Sequence, residues 1–262
     1  MATLALITGA SGLIGRHVME QWDVAGLRAE AVDRARDDLL EPGVATALVE
    51  RTRPAVVVHL AWAASGTPGY RHSPDNDRWV RTTLELVRAC DAAGAALVVT
   101  GTSLDKELAP ADAYAASKVR LWNELGPAVG AGALTWVRPY YVIDPERRRP
   151  ALVDAALRAQ EQGTPVVLRT PESAHDFIHA ADVGSAIVLA VREELRGELP
   201  IGCGRLRRVC DLVAALGIPW ESGADPAAAR ESHLEEVADS SRLRERGWTP
   251  ARTDALFQNA VS

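Results

Sequence analysis

A tyrosine and a lysine four residues apart, Tyr114 and Lys118, are the residues of this sequence best suited to moving a proton. On a helix, that spacing places both side chains on one face, a single turn apart. A free phenol titrates near pH 10, and a cation within about 4–6 Å stabilises the phenolate and lowers that pKa. The pair is therefore expected to exchange a proton with an alcohol or ketone. A surface helix with a solvated lysine would show the same spacing, but only Lys106 and Lys118 are lysines among 29 basic residues.

A glycine-rich turn follows the first apolar run of the chain. Residues 8–15 read TGASGLIG, directly after a predicted strand and at the start of a predicted helix. In such a turn Gly9 permits the sharp bend, Gly12 lets the backbone approach a pyrophosphate, and Gly15 lets helix and strand pack closely. The unpaired N–H groups at the helix start favour an anion. The sequence therefore predicts a dinucleotide site, the alternative being a glycine turn with no ligand.

The acid that such a site needs is Asp33, 18 residues after Gly15 at the end of the second predicted strand. A carboxylate at about this spacing accepts hydrogen bonds from the adenosine ribose. It also repels a 2′-phosphate, which favours NAD. Arg34 or Arg16 could neutralise that phosphate, so NADP stays open, and Arg34 could equally be a solvated loop charge.

Two hydroxyl side chains, Thr102 and Ser103, follow the strand predicted at Leu97–Thr100. Either is a candidate donor to the oxygen of a substrate. Each could also be a turn or capping residue, since hydroxyl side chains are common in both places.

Short apolar runs alternate with amphipathic stretches through the first half of the chain, which is typical of βα units and a parallel sheet. Strands are predicted at Leu4–Thr8, Ala29–Val32, Val56–Leu60, Leu97–Thr100, Leu134–Arg138 and Pro165–Leu168. Helices are predicted at Ile14–Asp23, Gly43–Arg51, Asp77–Ala93, Ala113–Leu125, Ala151–Gln162 and from near Asp182. The pattern predicts an α/β fold with a doubly wound parallel sheet of the Rossmann type. Residues 1–140 are expected to form this domain, with 176–200 returning to it, and 141–262 mainly a small substrate-binding cap.

Composition narrows the class of protein. A net charge of −6 argues against nucleic acid as a partner, and no apolar run is long enough to cross a membrane. The chain starts without a basic leader, and its three cysteines lack metal-ligand spacing. We therefore expect a cytoplasmic protein with reduced thiols and no metal. A disulfide between Cys203 and Cys210 is the alternative.

Taken together, these residues resemble the extended short-chain dehydrogenase/reductase family, which contains nucleotide-sugar epimerases, dehydratases and ketoreductases. The resemblance covers nearly the whole chain. It is carried by Thr8–Gly15, Val57–Ala63, Tyr114–Lys118, Leu134–Pro139, His175–Val183 and Asp239–Pro250. The stretch from Asp33 through Asp38 and Leu39 to Pro54 is similar to the dehydrorhamnose-reductase branch.

The resemblance implies roles for individual residues. Tyr114 would be the acid/base, Lys118 its partner and ribose anchor, and Thr102 the donor to the substrate oxygen. The cofactor, NAD or NADP, would be bound by Gly9, Ser11, Gly12, Leu13, Ile14, Gly15, Asp33, Arg34, Asp38, Leu39, Leu60, Ala61, Trp62, Ala63, Tyr114, Lys118 and Pro139. The substrate would be bound by Ser103, Tyr141, Arg148 and His175. The family also implies a homodimer through the helices containing Asp77–Ala93 and Tyr114–Leu125.

Departures from the family pattern bear on the reaction. Family dehydratases carry an Asp-Glu pair directly after the catalytic threonine, where this chain has Ser103 and Leu104. Tyr141 replaces an asparagine, and His175 replaces an arginine, in positions that hold the nucleotide sugar. The first hypothesis is therefore a ketoreductase of a nucleotide-linked keto-deoxysugar. The alternatives are an epimerase using the same residues and, from another class, a non-catalytic NAD(P)-sensing protein.

Overall fold

A computed structural model describes residues 3–64, 67–106, 112–146, 152–223 and 236–258. The chain divides into two compact units. The first comprises residues 1–138 and 184–199, and the second comprises residues 139–183 and 200–262.

The elements alternate between strand and helix through the first unit, as the sequence predicts. The strands are β1 (Thr3–Thr8), β2 (Leu27–Ala31), β3 (Val56–His59), β4 (Ala96–Thr100), β5 (Thr135–Pro139), β6 (Tyr141–Ile143), β7 (Val166–Leu168), β8 (Ala174–His175), β9 (Phe177–His179), β10 (Gly197–Ile201), β11 (Arg207–Arg208) and β12 (Trp220–Ser222). The helices are α1 (Gly15–Glu20), α2 (Val44–Thr52), α3 (Asp75–Ala93), α4 (Ala113–Gly130), α5 (Leu152–Glu161), α6 (Ala180–Arg192), α7 (Val209–Ala215), α8 (Ser241–Arg244) and α9 (Ala251–Gln258). Short 3-10 helices lie at Tyr70–His72 and Ser103–Lys106.

The first unit is built on a six-stranded sheet with the order β10-β5-β4-β3-β1-β2. The pairs β1–β2, β1–β3, β3–β4 and β4–β5 are parallel. Strand β3 consists of four buried residues, as expected where helices cover both faces of a parallel sheet. The predicted doubly wound α/β fold is confirmed. Because the strand order reverses at β1 and β3, the carboxyl ends of these two strands border the crevice where such folds bind ligands.

The helix that carries the tyrosine and lysine is longer than the sequence predicts. The sequence predicts an end at Leu125, and the next residues, Gly126 and Pro127, disfavour a helix interior. The helix instead continues to Gly130. Val129 is buried in the core of the first unit, and its packing keeps the last turn helical.

The second unit contains three two-stranded sheets, β6–β9, β7–β12 and β8–β11, around its own apolar core. Two buried carboxylates tie its segments together. Asp176 accepts hydrogen bonds from the backbone N–H groups of Cys203, Gly204 and Ala238. Asp182 accepts hydrogen bonds from the N–H groups of residues 252 and 253. These contacts give a structural reason for the acids of the segment His175–Val183.

No helix of the described ranges combines the length and the apolar character that a membrane crossing requires. The three cysteines are free and buried, so the alternative of a Cys203–Cys210 disulfide is wrong in this structure.

Candidate active site

The glycine-rich turn packs tightly within itself and against the segment that follows β3. Gly9 has a φ of +67°, and a Cβ atom there would lie 2.7 Å from the backbone nitrogen of Ala61. The N–H of Gly12 donates to the carbonyl of Gly9 at 2.8 Å. A Cβ atom at Gly15 would overlap that same carbonyl oxygen. All three glycines are therefore needed for the shape of the turn itself.

The end of β1 is joined to the end of β3 through one hydroxyl group. The Oγ1 atom of Thr8 accepts hydrogen bonds from the N–H groups of Leu60 and Ala61, each at 3.1 Å, and lies 2.8 Å from Nδ1 of His59. The other ring nitrogen of His59 lies 3.1 Å from the hydroxyl of Thr83. Burial and the nearby Lys118 lower the pKa of His59 to about 3, so this imidazole is neutral. The segment predicted to line the cofactor is thus anchored to the glycine-rich turn.

The predicted adenosine-binding residues lie in the segment between β2 and α2. Asp33 is exposed, and its Oδ1 accepts a hydrogen bond from the N–H of Ala35 at 2.9 Å. Arg34 lies 3.7 Å from the carboxylate of Asp38. Leu39 is only 5% exposed and packs into the core of the first unit. The structure therefore leaves Asp33 and Arg34 exposed and Asp38 half-buried, and it draws Leu39 inward.

Tyr114 and Thr102 are brought together at the start of α4. The helix begins after Asp112, whose side chain accepts a hydrogen bond from the N–H of Ala115 at 2.9 Å. The side chain of Thr102 lies close enough to the Tyr114 phenol to act on its pKa. Burial raises the pKa of Tyr114, while the interaction with Thr102 and the positive charge of Arg71 act in the opposite direction.

The protein groups alone shift the pKa of the phenol in the direction opposite to the one that its spacing from Lys118 predicts. The lysine lies one turn further along α4, but its Nζ atom is 5.9 Å from the centre of the Tyr114 ring. It donates instead to the carbonyl oxygen of Thr100 at 3.0 Å and lies against the indole of Trp62. Burial therefore dominates the pKa of Tyr114, and the phenol is protonated at neutral pH.

Lys118 is 2% exposed. Burial lowers its pKa from 10.5 to about 7, although the charge of Asp105 acts to raise it. The pKa of this buried lysine lies close to neutral pH, so small changes in its surroundings change its charge.

This pKa predicts a pH dependence of stability that Lys118→Met should remove. Between pH 7 and 10 the unfolded chain still holds the lysine proton while the folded chain has released it, so wild type gains stability with rising pH. We expect the difference in free energy of unfolding, wild type minus variant, to increase by about 1 kcal/mol per pH unit. Urea unfolding of both proteins at pH 7, 8 and 9 measures it. A difference that stays constant over that range would contradict the lowered pKa.

A buried carboxylate holds the 3-10 helix that follows β4 in place. Asp105, which is fully buried, accepts hydrogen bonds from the N–H of Thr102 at 3.0 Å, from Nε1 of Trp136 at 3.0 Å and from Nε of Arg138 at 2.7 Å. Arg138 also pairs with Glu198. Burial raises the pKa of Asp105, and the guanidinium of Arg138 acts in the opposite direction. This network sets the position of the Thr102 backbone.

Comparison with known proteins identifies the family of this chain. The sequence profile of the NAD dependent epimerase/dehydratase family matches residues 5–202. The chain belongs to this family. Its members are enzymes of the extended short-chain dehydrogenase/reductase type, which the sequence analysis predicted, and they depend on NAD(P).

Individual relatives are distant in sequence and similar in fold. UDP-glucose 4-epimerase of Thermus thermophilus, solved with NAD, is 24% identical with a TM-score of 0.70, over 94% of both chains. The dTDP-4-dehydrorhamnose reductase of Bacillus anthracis, solved with NADP, is 15% identical with a TM-score of 0.76, over 100% of this chain and 98% of that one. A rice protein (Oryza sativa subsp. japonica) provisionally named GDP-L-fucose synthase 2 is 25% identical, over 93% of this chain and 81% of its own.

The residues of the first unit fit the dinucleotide that the epimerase/dehydratase family uses. The turn at 9–15 has no room for side chains on its glycines, which is what a close approach of backbone to a pyrophosphate requires. The carboxyl end of β3 is followed by Leu60, Ala61, Trp62 and Ala63. The turn and the residues directly after it include Ser11, Leu13 and Ile14. When it is bound, the nicotinamide supplies the hydride-transfer chemistry.

Residues predicted to bind the substrate are divided between the units. Ser103 opens the 3-10 helix beside Thr102 in the first unit. Tyr141 and His175 lie in the second unit, where their rings stack with centroids 4.5 Å apart and Tyr141 is 46% exposed. Arg148 lies outside the described residues. Pro139, which was predicted to bind the cofactor, is the last residue of β5.

Sequence reasoning missed two residues that border the tyrosine. The ring of Tyr70 meets the ring of Tyr114 edge to face at 5.3 Å. Arg71 pairs with Asp112, the residue that caps α4, at 2.5 Å. Both belong to a short 3-10 helix that is distant from α4 in sequence. Their polar composition resembles that of a surface loop, so no local pattern indicates the contact.

Proposed function

We propose that this protein is an NAD(P)-dependent ketoreductase of a nucleotide-linked keto-deoxysugar. The observation that supports it most directly is the proximity of Thr102 to the phenol of Tyr114, with Lys118 buried one helical turn further on and bonded to the carbonyl oxygen of Thr100. These three polar groups follow the carboxyl end of β4, at the edge of the sheet where doubly wound folds bind their ligands.

The protonation state of Tyr114 favours the reductive direction. A ketone that accepts a hydride at carbon needs a proton at oxygen, and a phenol with a raised pKa carries that proton at neutral pH. Thr102 is placed to donate a hydrogen bond to the same oxygen and orient it. An epimerase must first oxidise an alcohol, which requires the phenolate form of Tyr114. For that second candidate, the positive charge of an oxidised nicotinamide would have to lower the pKa of the phenol.

Among the residues that the structure describes here, a dehydratase reaction lacks its acid and base. The nearest carboxylate after Thr102 is that of Asp105, which is fully buried and bonded to Trp136 and Arg138. A carboxylate held in this way does not reach a substrate. Elimination of water is therefore the reaction that these residues support least.

Substrate class is inferred from the relatives. The named relatives act on sugars linked to UDP, dTDP or GDP. Tyr141 and His175 supply aromatic surface in the second unit that suits a nucleobase or sugar. A homodimer through α3 and α4 and a cytoplasmic location stay predictions.

Cofactor balance distinguishes the two candidate reactions. Purified protein is incubated with a nucleotide-linked 4-keto-deoxysugar and NADH or NADPH, and absorbance at the nicotinamide band is followed together with product by mass spectrometry. A ketoreductase consumes one reduced cofactor per product. Interconversion of UDP-sugars without net cofactor consumption would assign the epimerase instead.

Asp33 is expected to select NAD over NADP. Its exposed carboxylate would lie against a 2′-phosphate and repel it, because like charges at short range are unfavourable. Asp33→Asn keeps the shape and the acceptor for the Ala35 N–H while removing the charge. We expect the ratio of NADPH to NADH affinity to rise about 10-fold, since about 1.4 kcal/mol corresponds to that factor. Fluorescence titration with both cofactors measures the ratio; Asp23→Asn is the matched surface control, and an unchanged ratio would contradict the role.

A further inference from the structure

The ammonium of Lys118 is held against an aromatic face rather than against a carboxylate. Its Nζ atom lies 3.5 Å from the centre of the Trp62 ring and 3.0 Å from the carbonyl oxygen of Thr100. Within the described part of the chain, no carboxylate forms an ion pair with it. The negative charge that acts on it is that of Asp105, which is already bonded to Arg138. A buried cation in this position is stabilised chiefly by the π face below it and the carbonyl beside it.

The indole of Trp62 is fixed from two further directions. Its Nε1–H donates to Oδ1 of Asn76 at 2.9 Å, and Asn76 is 2% exposed. The amide nitrogen of Asn76 donates in turn to the carbonyl oxygens of Tyr70 and Ser73, at 2.7 and 3.0 Å. The ring of Trp79 stacks on Trp62 with centroids 6.2 Å apart and an angle of 28°. Trp62 is therefore a rigid platform that meets the lysine without having to reorder.

We propose that Trp62 is a positioning residue that holds the Lys118 ammonium in its charged form by a cation–π interaction. The proposal deepens the proposed function, and it depends on that function only for the catalytic importance of Lys118. The tryptophan belongs to the segment predicted to line the cofactor, and this contact gives it a separate task. Its side chain acts on the lysine and is not itself expected to touch the reacting atoms.

Groups around Lys118 leave its charge sensitive to the loss of the indole. Asp105 acts to raise the pKa of the lysine, His59 is neutral with a pKa lowered to about 3, and Tyr114 is protonated. With burial already lowering the pKa of Lys118 to about 7, a further decrease would leave it mostly neutral at physiological pH. A desolvated cation–π interaction is strong enough to lower that pKa by about one unit when it is removed.

The two-lysine composition of the chain makes this shift directly measurable. Protein labelled with ¹³Cε/¹⁵Nζ-lysine gives signals from Lys106 and Lys118 alone, and Lys106→Arg assigns them. In the cofactor-free wild type we expect the Lys118 ε-methylene protons to be shifted upfield by the Trp62 ring current. In Trp62→Leu we expect that shift to vanish and the pKa of Lys118 to fall by about one unit. In Trp62→Phe, which keeps an aromatic face, we expect the pKa of Lys118 to stay close to its wild-type value.

A second pair of variants separates the π face from simple space filling. Trp62→Phe is compared with a variant carrying pentafluorophenylalanine at position 62, which has nearly the same shape but a reversed ring quadrupole. A lower pKa of Lys118 in the fluorinated variant supports the proposal, and equal values in the two variants overturn it. Trp220→Leu, at an exposed position of the second unit, is the control and should leave the lysine signal unchanged.

Catalysis provides an independent measurement. If the enzyme reduces a ketone, the alkaline limb of its kcat/KM profile should move to lower pH in Trp62→Leu by the same amount as the lysine pKa. Activity without any movement of that limb, while the lysine pKa falls, would overturn the link to catalysis. If no ketone or alcohol is turned over, the proposed function fails, but the spectra still decide whether Trp62 holds the lysine charge.

Discussion

Tyr114→Phe is expected to lower kcat for ketone reduction by about 10²–10⁴-fold or more, because it removes the proton donor and little else. The change deletes one hydroxyl and leaves the ring, which Tyr70 contacts edge to face. Affinity for NADH and NADPH should stay within a few fold of wild type. Stopped-flow or steady-state absorbance of the reduced cofactor measures the rate, and fluorescence titration measures the affinity.

Tyr70→Phe is the matched control for this prediction. It removes a phenol hydroxyl from the neighbouring ring and preserves the same edge-to-face contact. Because the hydroxyl of Tyr114 is unchanged in this variant, the control is expected to retain turnover. A Tyr114→Phe variant that reduces ketone as fast as the Tyr70→Phe variant would remove Tyr114 from the mechanism.

Asp105→Ala is expected to reduce the free energy of unfolding by about 3–5 kcal/mol, because it leaves a buried guanidinium without its main partner. Arg138 is 1% exposed, and its Nη2 atom already lacks a hydrogen-bond partner among the described residues. The substitution also removes the acceptor for the N–H of Thr102 and for the indole of Trp136. Urea unfolding followed by tryptophan fluorescence measures the loss.

An exposed ion pair between α3 and α4 gives the comparison. Arg120 pairs with Asp77 at 2.9 Å, and about half of the arginine side chain is exposed. Arg120→Ala is therefore expected to change the free energy of unfolding by no more than roughly 1 kcal/mol. Equal effects of the two substitutions would show that the Asp105 network contributes no more than a surface pair. Asp105→Asn, which keeps hydrogen-bonding capacity without the charge, should fall between them.

Much of the fold and part of the site can be predicted from local sequence. The buried run at Val56–His59 and the glycines of residues 9–15 predict strand, turn and helix, because period and backbone conformation are local properties. The four-residue spacing of Tyr114 and Lys118 likewise places them on one face of α4. Thr102 follows from its position after β4. Its proximity to Tyr114 could not be predicted, because it depends on how the 3-10 helix packs against α4.

What the sequence by itself determined is the class of sheet, the glycine-rich turn and the spacing that puts Tyr114 and Lys118 one turn apart on α4. Only the tertiary structure decided how that pair is charged. Trp62 reaches Lys118 across 56 positions and Asp105 reaches Arg138 across 33, contacts that no local period encodes. Burial is likewise a property of the packed chain, and it raises the pKa of the phenol and lowers that of the lysine. Desolvation depends on every neighbour that excludes water, so it follows from packing rather than from spacing.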